Sequence, residues 1–205
     1  MKLRRIKDEK VWDAVEFAYS TNSSSVSTEG FSGYAITAEI TARAATAKAF
    51  VDADVTVATN VVSEASHGYK TGRKGQLTTT GVLPTGLAAS TDYYMIATNA
   101  NYYQLASSLA NAIAGTPVNI TAAAGGGTHT FTPVALGTTT VKLQASEDDD
   151  IFVDISNSSE TISASSNVLW NVNAPYYEYM RVVATLSDGA GQLLVTSRIT
   201  GKGIG

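Results

Sequence analysis

The chain has 205 residues and a formal net charge of -4; 44% of its residues are hydrophobic, 16% are charged and none is cysteine. The lack of cysteine excludes a disulfide framework, a thiolate metal site and a cysteine nucleophile. The sequence has no apolar run of about 18 residues, the length that would predict a membrane span. The N-terminus lacks the apolar core of a signal peptide, and the acidic balance argues against direct nucleic-acid binding. We therefore expect a protein made in the cytosol.

The first part of the chain contains one clear strand. Residues 11–19 are either a short strand or a two-turn helix, because their periodicity does not decide between the two. Residues 33–44 alternate in polarity and predict a half-buried strand, and residues 47–51 predict another short one. The side chains that share the apolar face of the first strand are Tyr34, Ile36, Ala38 and Ile40.

A different texture begins near residue 52, where turn signals crowd between short apolar runs. These runs predict strands at residues 55–63, 75–79, 93–98, 102–105 and 118–121. Residues 107–114 predict the one helix, which Gly115 ends. Its inner face at helical spacing consists of Leu109, Ala112 and Ile113.

The last part of the chain returns to the first texture. Residues 139–146, 151–156, 160–164, 168–172 and 177–187 predict strands, and residues 192–203 predict the final one. Short strands every 8–12 residues are typical of a β-sandwich or jelly roll. The sequence therefore predicts an all-β, antiparallel, sandwich-like or jelly-roll-like domain.

The change of texture predicts a domain insertion. Residues 1–51 are too few for a domain, and residues 134–205 lack partners for their edge strands. Together they form a discontinuous sandwich, and residues 52–133 form a small, mainly-β module with one short helix, inserted in a loop.

Two groups of side chains consist of residue types that can bind a metal ion. His67 and His129, with Glu64 or Asp92, are of the right type for a metal, although they lack the spacing of a known metal motif. The acidic run Glu147–Asp150 carries oxygen ligands that suit Ca²⁺ but lacks the pattern of an EF-hand loop, and a solvated turn is the simpler interpretation. We expect no metal, no cofactor and no catalytic residue, since no nucleophile, phosphate-binding or acid–base motif is present.

Three tyrosine pairs predict contacts with other molecules. In a strand, adjacent side chains point to opposite faces, so one ring of each pair is expected in the core and the other at the surface. Exposed tyrosines are favoured at interfaces and can stack on sugar rings. The candidate glycan or partner contacts are Tyr93, Tyr94, Tyr102 and Tyr103, and the pair Tyr176 and Tyr177 belongs to the sandwich.

An ordered set of motifs resembles a module that recurs in virion and tail-associated proteins of bacteriophages. The motifs are HGYKTG from residue 67, LTTTGVLPTGL from 77, TDYYMI from 91, YQLA from 103 and GTHT from 127. They cover nearly all of residues 55–131.

The outer sandwich also resembles phage structural proteins. The matching segments are VKLQASED from residue 141, LWNV from 169, YMRV from 179 and GKG from 201. Such sandwiches serve as capsid decoration proteins and as tail or fibre modules.

The resemblance implies a non-enzymatic structural protein of a tailed-phage virion, assembled in the host cytoplasm. The first hypothesis is a capsid decoration (cement) protein, a homotrimer that contacts the major capsid protein. Its candidate contact residues are Trp12, Phe17, Tyr176 and Tyr177. The alternative is a tail or fibre component that binds a host-surface glycan or receptor, or adapts tail parts to other virion proteins.

Overall fold

The computed structural model describes residues 6–123, 125–173 and 177–203. Nearly all of the regular structure in these ranges is β-strand, so the all-β fold predicted from the sequence is confirmed. No helix in the described ranges is long and apolar enough to cross a membrane.

Ten strands form two sheets that pack face to face. Sheet A has the order β1-β17-β4-β15, and sheet B has the order β13-β12-β16-β2, with β14 on β12 and β3 on β16. The bounds are β1 Ile6–Phe17, β2 Thr21–Asn22, β3 Val26–Ser27, β4 Gly33–Ala42, β12 Thr139–Ser146, β13 Val153–Asp154, β14 Glu160–Ile162, β15 Ser166–Asn173, β16 Tyr179–Leu186 and β17 Leu193–Lys202.

The core of the sandwich lies between sheets A and B. Alternating residues of each long strand point inward, because successive side chains of a strand face opposite sides of the sheet. Leu143 of β12 and Val182 of β16 meet Ile36 of β4 and Val195 of β17, and all four are fully buried. Each contributes about 1.5–3 kcal/mol by leaving water. The apolar face predicted for β4 is therefore correct, since its four residues are all buried.

Seven strands form sheet C, which belongs to the inserted unit and has the order β5-β11-β8-β9-β10-β7-β6. One face of this sheet supplies a separate core, so the sheet curls into a nearly closed barrel around it. The bounds are β5 Lys48–Val51, β6 Val55–Thr56, β7 Val61–Ser63, β8 Lys74–Thr79, β9 Asp92–Ala97, β10 Tyr102–Ala106 and β11 Thr128–Pro133.

The pairing of β5 changes one boundary of the inserted unit. β5 pairs with β11 from Lys48↔Phe131 to Val51↔Thr128, so it belongs to sheet C. The sequence pattern predicts that residues up to 51 belong to the sandwich, because a short apolar strand does not reveal its partner. The inserted unit thus spans residues 48–133, and residues 43–47 connect it to the sandwich.

Residues 11–19, for which strand and helix were both open, are strand up to Phe17, and β1 contains two register shifts there. Three other local predictions differ from the structure. Residues 55–63 form a tight hairpin of β6 and β7 rather than one strand, and residues 118–121 form no strand. The helix α1 Leu109–Ile113 buries Ala112, but Ile113 is 54% exposed because α1 is only about one turn long.

Candidate functional site

The junction between the sandwich and the inserted unit is held by one buried amide. Gln192 precedes β17 and is 2% exposed. Its Nε2 donates to the carbonyl oxygen of Gly68 and to Oε1 of Glu16, each at 2.9 Å, and its Oε1 accepts the backbone N–H of Lys70 at 3.0 Å. A single side chain thus ties β1 and β17 of the sandwich to the loop before β8 of the inserted unit.

Glu16 of β1 interacts with the charged side chains around this amide. Its Oε1 accepts from Arg43 Nε at 2.7 Å, and its Oε2 lies 3.7 Å from Lys70 Nζ. Burial alone would raise the pKa of Glu16, but the hydrogen bonds from Gln192 and Arg43 and the two nearby cations hold it below its usual value. The carboxylate therefore stays ionised while it links the two units.

A second contact joins the units on the β16–β17 loop. Asp188 Oδ2 accepts from the hydroxyl of Tyr94 at 2.7 Å and from Lys74 Nζ at 3.1 Å. The hydrogen bond from Tyr94 is the largest cause that lowers the pKa of Asp188, and Lys74 adds to it. The backbone N–H of Lys74 also donates to Gly189 O at 3.0 Å.

Gly189 has to be glycine at this contact. Its φ is +68°, a conformation that side chains rarely adopt, and a Cβ there would lie 2.3 Å from the carbonyl oxygen of Gly72. The Asp-Gly pair therefore lets the sandwich loop approach the backbone of the inserted unit.

A cleft of about 600 Å³ opens beside the Gln192 contact. Its polar and aromatic lining includes Glu16, Tyr19, Tyr69, Lys70 and Asn99. A neighbouring depression of about 430 Å³ lies across the loop at residues 66–69 and is bordered by Gln192. The junction is thus the place where both units present polar groups to one concave surface.

His67 is a structural residue at the edge of this cleft. Its Nδ1 accepts the N–H of Tyr69 at 3.0 Å, and its Nε2 lies 2.7 Å from Asn99 O. A carbonyl oxygen can only accept, so Nε2 is the donor in this contact. Both nitrogens are thereby occupied within the fold.

His129 is fully buried in β11 and is also occupied. Its Nε2 lies 2.8 Å from Asp52 Oδ1, and its Nδ1 lies 2.8 Å from Thr79 Oγ1. Within residues 6–123, 125–173 and 177–203, no group of three His, Cys, Asp or Glu is placed to hold a metal. Glu64 instead lies near Lys48, and Asp92 pairs with Lys74. The structure does not assemble the metal sets considered from the sequence.

The acidic run at residues 147–150 is a turn closed by one carboxylate. Asp148 Oδ1 accepts the backbone N–H groups of Asp150 and Ile151, both at 3.0 Å, and the hydroxyl of Ser146 at 2.8 Å. The two backbone hydrogen bonds are the main cause that lowers the pKa of Asp148. This geometry fits the solvated-turn interpretation.

The four tyrosines predicted to contact a glycan or a partner do not line one exposed groove. Tyr93, Tyr94 and Tyr103 are buried, and only Tyr102 is 44% exposed. The reason is that β9 lies between β8 and β10, with the barrel core on one face and α1 and the Asp188 loop on the other. One-in, one-out alternation holds for Tyr102 and Tyr103 but fails for Tyr93 and Tyr94.

The predicted interface residues of the sandwich lie mostly inside it. Trp12 and Phe17 are each 4% exposed and pack ring to ring at 5.4 Å, so a partner could touch little of either. Tyr177 is half-buried against the core. Tyr176 lies outside the described residues.

The barrel of the inserted unit contains a buried arginine. Arg73 is 1% exposed, and its three guanidinium nitrogens have no hydrogen-bond partner among the described residues; the same is true of the Tyr103 hydroxyl. Burial lowers the pKa of Arg73, and the nearby Tyr69 opposes this weakly. Burial of a cation without a partner costs folding free energy, so Arg73 destabilises this core.

Gln192, Asp188 and Arg73 were not singled out in the sequence. The Asp-Gly dipeptide at residues 188–189 signals a turn, but its partners lie 94 and 114 positions away. Gln192 and Arg73 are isolated polar residues whose burial depends on long-range packing. No local pattern marks them.

The fold and the junction define a class: an all-β protein in which a sandwich carries an inserted, barrel-like β unit. No family model matches the chain, and no curated protein matches it.

Solved structures share only a distant likeness with the chain. The SPBc2 prophage-derived protein YomS has a TM-score of 0.37 and 6% identity, over 98% of this chain and 97% of that one. A Bacillus endospore appendage protein of disulfide-linked pili has a TM-score of 0.29 and 5% identity, over 100% and 88%. A chain of cowpea mosaic virus empty particles has a TM-score of 0.18 and 12% identity, over 82% and 81%. TM-scores this low do not show a common fold.

Proposed function

We propose that this protein is a non-enzymatic structural component of a tailed-bacteriophage virion, and that it acts as a capsid decoration (cement) protein. The sequence resemblance at residues 55–131 and 141–203 supports the virion role. The structure adds two β units, each with its own hydrophobic core.

The observation that carries the proposal is the double contact at the junction. Gln192 and Asp188 anchor the inserted unit to the sandwich at two separate points. Gln192 binds the backbone of Gly68 and Lys70. Asp188 accepts from Tyr94 and from the ammonium group of Lys74, and hydrogen bonds between ionised groups are stronger than neutral ones. A protein that stabilises a shell has to transmit force between its contacts without a flexible linker. Two separate anchor points limit the motion of the inserted unit relative to the sandwich and so meet this requirement.

In the proposed mechanism the sandwich binds the shell and the inserted unit projects from it or contacts neighbouring copies. The partners are the major capsid protein and further copies of this chain, in the homotrimer that the resemblance implies. No bond is made or broken. Stabilisation comes from apolar and tyrosine surface removed from water across the joints between capsid subunits.

Heat stability of the head tests this proposal. Particles assembled without the protein should release their DNA at a lower temperature than complete particles, and purified protein added back should restore the difference. Complete particles that receive the same protein serve as the control and should not change. Particles that lack the protein and keep normal heat stability would contradict decoration.

The second candidate is a tail or fibre component that binds a host glycan. The junction cleft favours it, because Tyr19 and Asn99 offer an aromatic and an amide group that suit sugar ring faces and hydroxyls. A glycan array should then give a signal that Asn99→Ala reduces and Asn157→Ala, in another surface depression, does not. An array without any signal would contradict this candidate.

A further inference from the structure

The two edges of sheet A differ in character. β1 forms one edge, and two register shifts interrupt its pairing with β17, between Lys10 and Trp12 and between Trp12 and Val15. Ala14 there has a φ of +54°. This edge also carries several charged side chains, among them Asp8, Glu9 and Asp13. Bulges and charges of this kind prevent another strand from pairing with an edge.

β15 forms the opposite edge and has none of these features. It pairs with β4 in unbroken register over all eight residues, from Ser166↔Ile40 to Asn173↔Gly33. Its sequence, SNVLWNVN, contains no charge, proline or glycine. In the described part of the chain, no strand pairs with its other side. Long, flat, uncharged edges are sites where further strands add.

The side chains of β15 are arranged for such an addition. Leu169 points outward from the sandwich and is 60% exposed, between the exposed Asn167 and Asn171. Val168 and Trp170 point inward and are 8% and 6% exposed. The indole N–H of Trp170 has no hydrogen-bond acceptor within the ranges that the structure covers. The edge therefore combines an exposed leucine with an unused buried donor.

We propose that the free edge of β15 pairs antiparallel with β15 of a second copy of this chain, about a two-fold axis that passes beside Leu169. The segment Asn167–Asn171 has the same order of polarity in both directions: amide, apolar, apolar, apolar, amide. In this register Leu169 lies opposite its own twin on the outer face, and Asn167 lies opposite the partner's Asn171. Val168 lies opposite the partner's Trp170 on the core side.

The charge pattern identifies the occupant as a second copy. In this register only Leu169, at the axis, lies opposite its own equivalent, and the other residues lie opposite residues of the same short segment. An edge strand with charges of one sign would therefore meet like charge, which is destabilising. β15 has no charge to repel its twin, and the directly opposed leucines bury each other. Pairing joins two four-stranded sheets into one of eight strands. This two-fold contact does not depend on the decoration role and forms in addition to any trimer.

Sedimentation of the purified full-length protein is the first test. The wild type should form a species that contains an even number of 21.4 kDa chains, in equilibrium with the species half its size. Leu169→Lys sets two ammonium groups opposite each other and should weaken this association at least about tenfold. Val82→Lys is the matched control, since Val82 is 64% exposed in the inserted unit, and should leave the association unchanged. A wild type that does not associate, or equal effects of both variants, would overturn the proposal.

Single-cysteine cross-linking tests the register, because the chain has no native cysteine that could form a competing disulfide. Leu169→Cys should form an intermolecular disulfide rapidly, because directly opposed β-carbons lie about 4.5–5.5 Å apart. Asn171→Cys lies four positions from its twin, about 13 Å along the strand, which exceeds the roughly 7 Å that a disulfide spans. Asn171→Cys should therefore cross-link slowly. Equal rates for the two variants would overturn the two-fold register.

Discussion

At the scale of single residues, the junction depends on side chains that serve two units at once. Gln192 satisfies a carbonyl and an N–H of the inserted unit while it also donates to Glu16. Buried polar groups of this kind have to be paired, because an unsatisfied one loses its interaction with water without replacement.

Gln192→Ala should lower the free energy of unfolding by about 2–4 kcal/mol, because it leaves Gly68 O and Lys70 N–H without their partner. Urea unfolding measures the change. The matched control is Gln76→Ala, an exposed residue with one hydrogen bond to Asp92, which should change stability by less than about 0.5 kcal/mol. Similar losses in both variants would contradict the role given to Gln192.

Arg73→Met should leave the free energy of unfolding unchanged or raise it. Arg73 contributes a buried charge without a hydrogen-bonded partner among the described residues, and replacement of buried ions by apolar residues of similar volume is often neutral or stabilising. Arg198→Met, which removes an exposed pair with Asp8, is the control and should cost less than about 1 kcal/mol. A loss of more than about 2 kcal/mol for Arg73→Met would contradict this account.

At the scale of elements, the strands differ in how well the sequence pattern predicts their buried faces. The inward faces of β4, β12 and β16 follow from a strict alternation of apolar and polar residues. The inward faces of the inserted unit are harder to predict. β9, for example, is buried on both faces, so its sequence shows no alternation of apolar and polar residues. Close packing between β8 and β11 depends on one small residue, Gly75, whose missing side chain leaves room for the ring of Phe131.

Gly75→Ala should destabilise sheet C. A Cβ at this position would lie 2.4 Å from Phe131 Cζ, so the ring or the strand has to move, at about 1–3 kcal/mol. Gly125→Ala is the control, because its nearest contact would be an ordinary 3.7 Å from Val82 Cβ. Thermal unfolding should show a lower Tm for Gly75→Ala alone. A lower Tm in the control and not in Gly75→Ala would contradict the packing argument.

At the scale of the whole molecule, folding favours the ionised form of several carboxyl groups. Among the described residues, six have a pKa below the ordinary value: Glu16, Asp52, Asp92, Asp148, Asp154 and Asp188. A carboxyl whose pKa is lowered by folding contributes stability above its unfolded pKa, and this contribution is lost as pH falls through the folded pKa.

Tm should therefore fall steadily below about pH 4, near the ordinary pKa of Asp and Glu. Asp188→Asn should have a lower Tm at neutral pH and a smaller decrease on acidification, since one of the six groups no longer titrates. Differential scanning calorimetry across this range measures both effects. A Tm that stays constant or rises on acidification would contradict the role of these carboxylates.

The all-β class and most of the sandwich strands could be predicted from the sequence, because these depend on local alternation and turn residues. The residues of the junction could not be predicted. Asp188 finds Tyr94 and Lys74 only after both units have folded, and Trp12 is drawn into the core by a bulge in β1 that no spacing marks. The placement of exposed and buried tyrosines likewise depends on which strands become central.

The copy number of the protein in purified virions tests the central claim most directly. Quantitative mass spectrometry against the major capsid protein of the same particles gives this ratio. Decoration of the head predicts hundreds of copies per particle, in a fixed ratio to the capsid protein. A count in the tens or fewer, matching the symmetry of a tail, would contradict it.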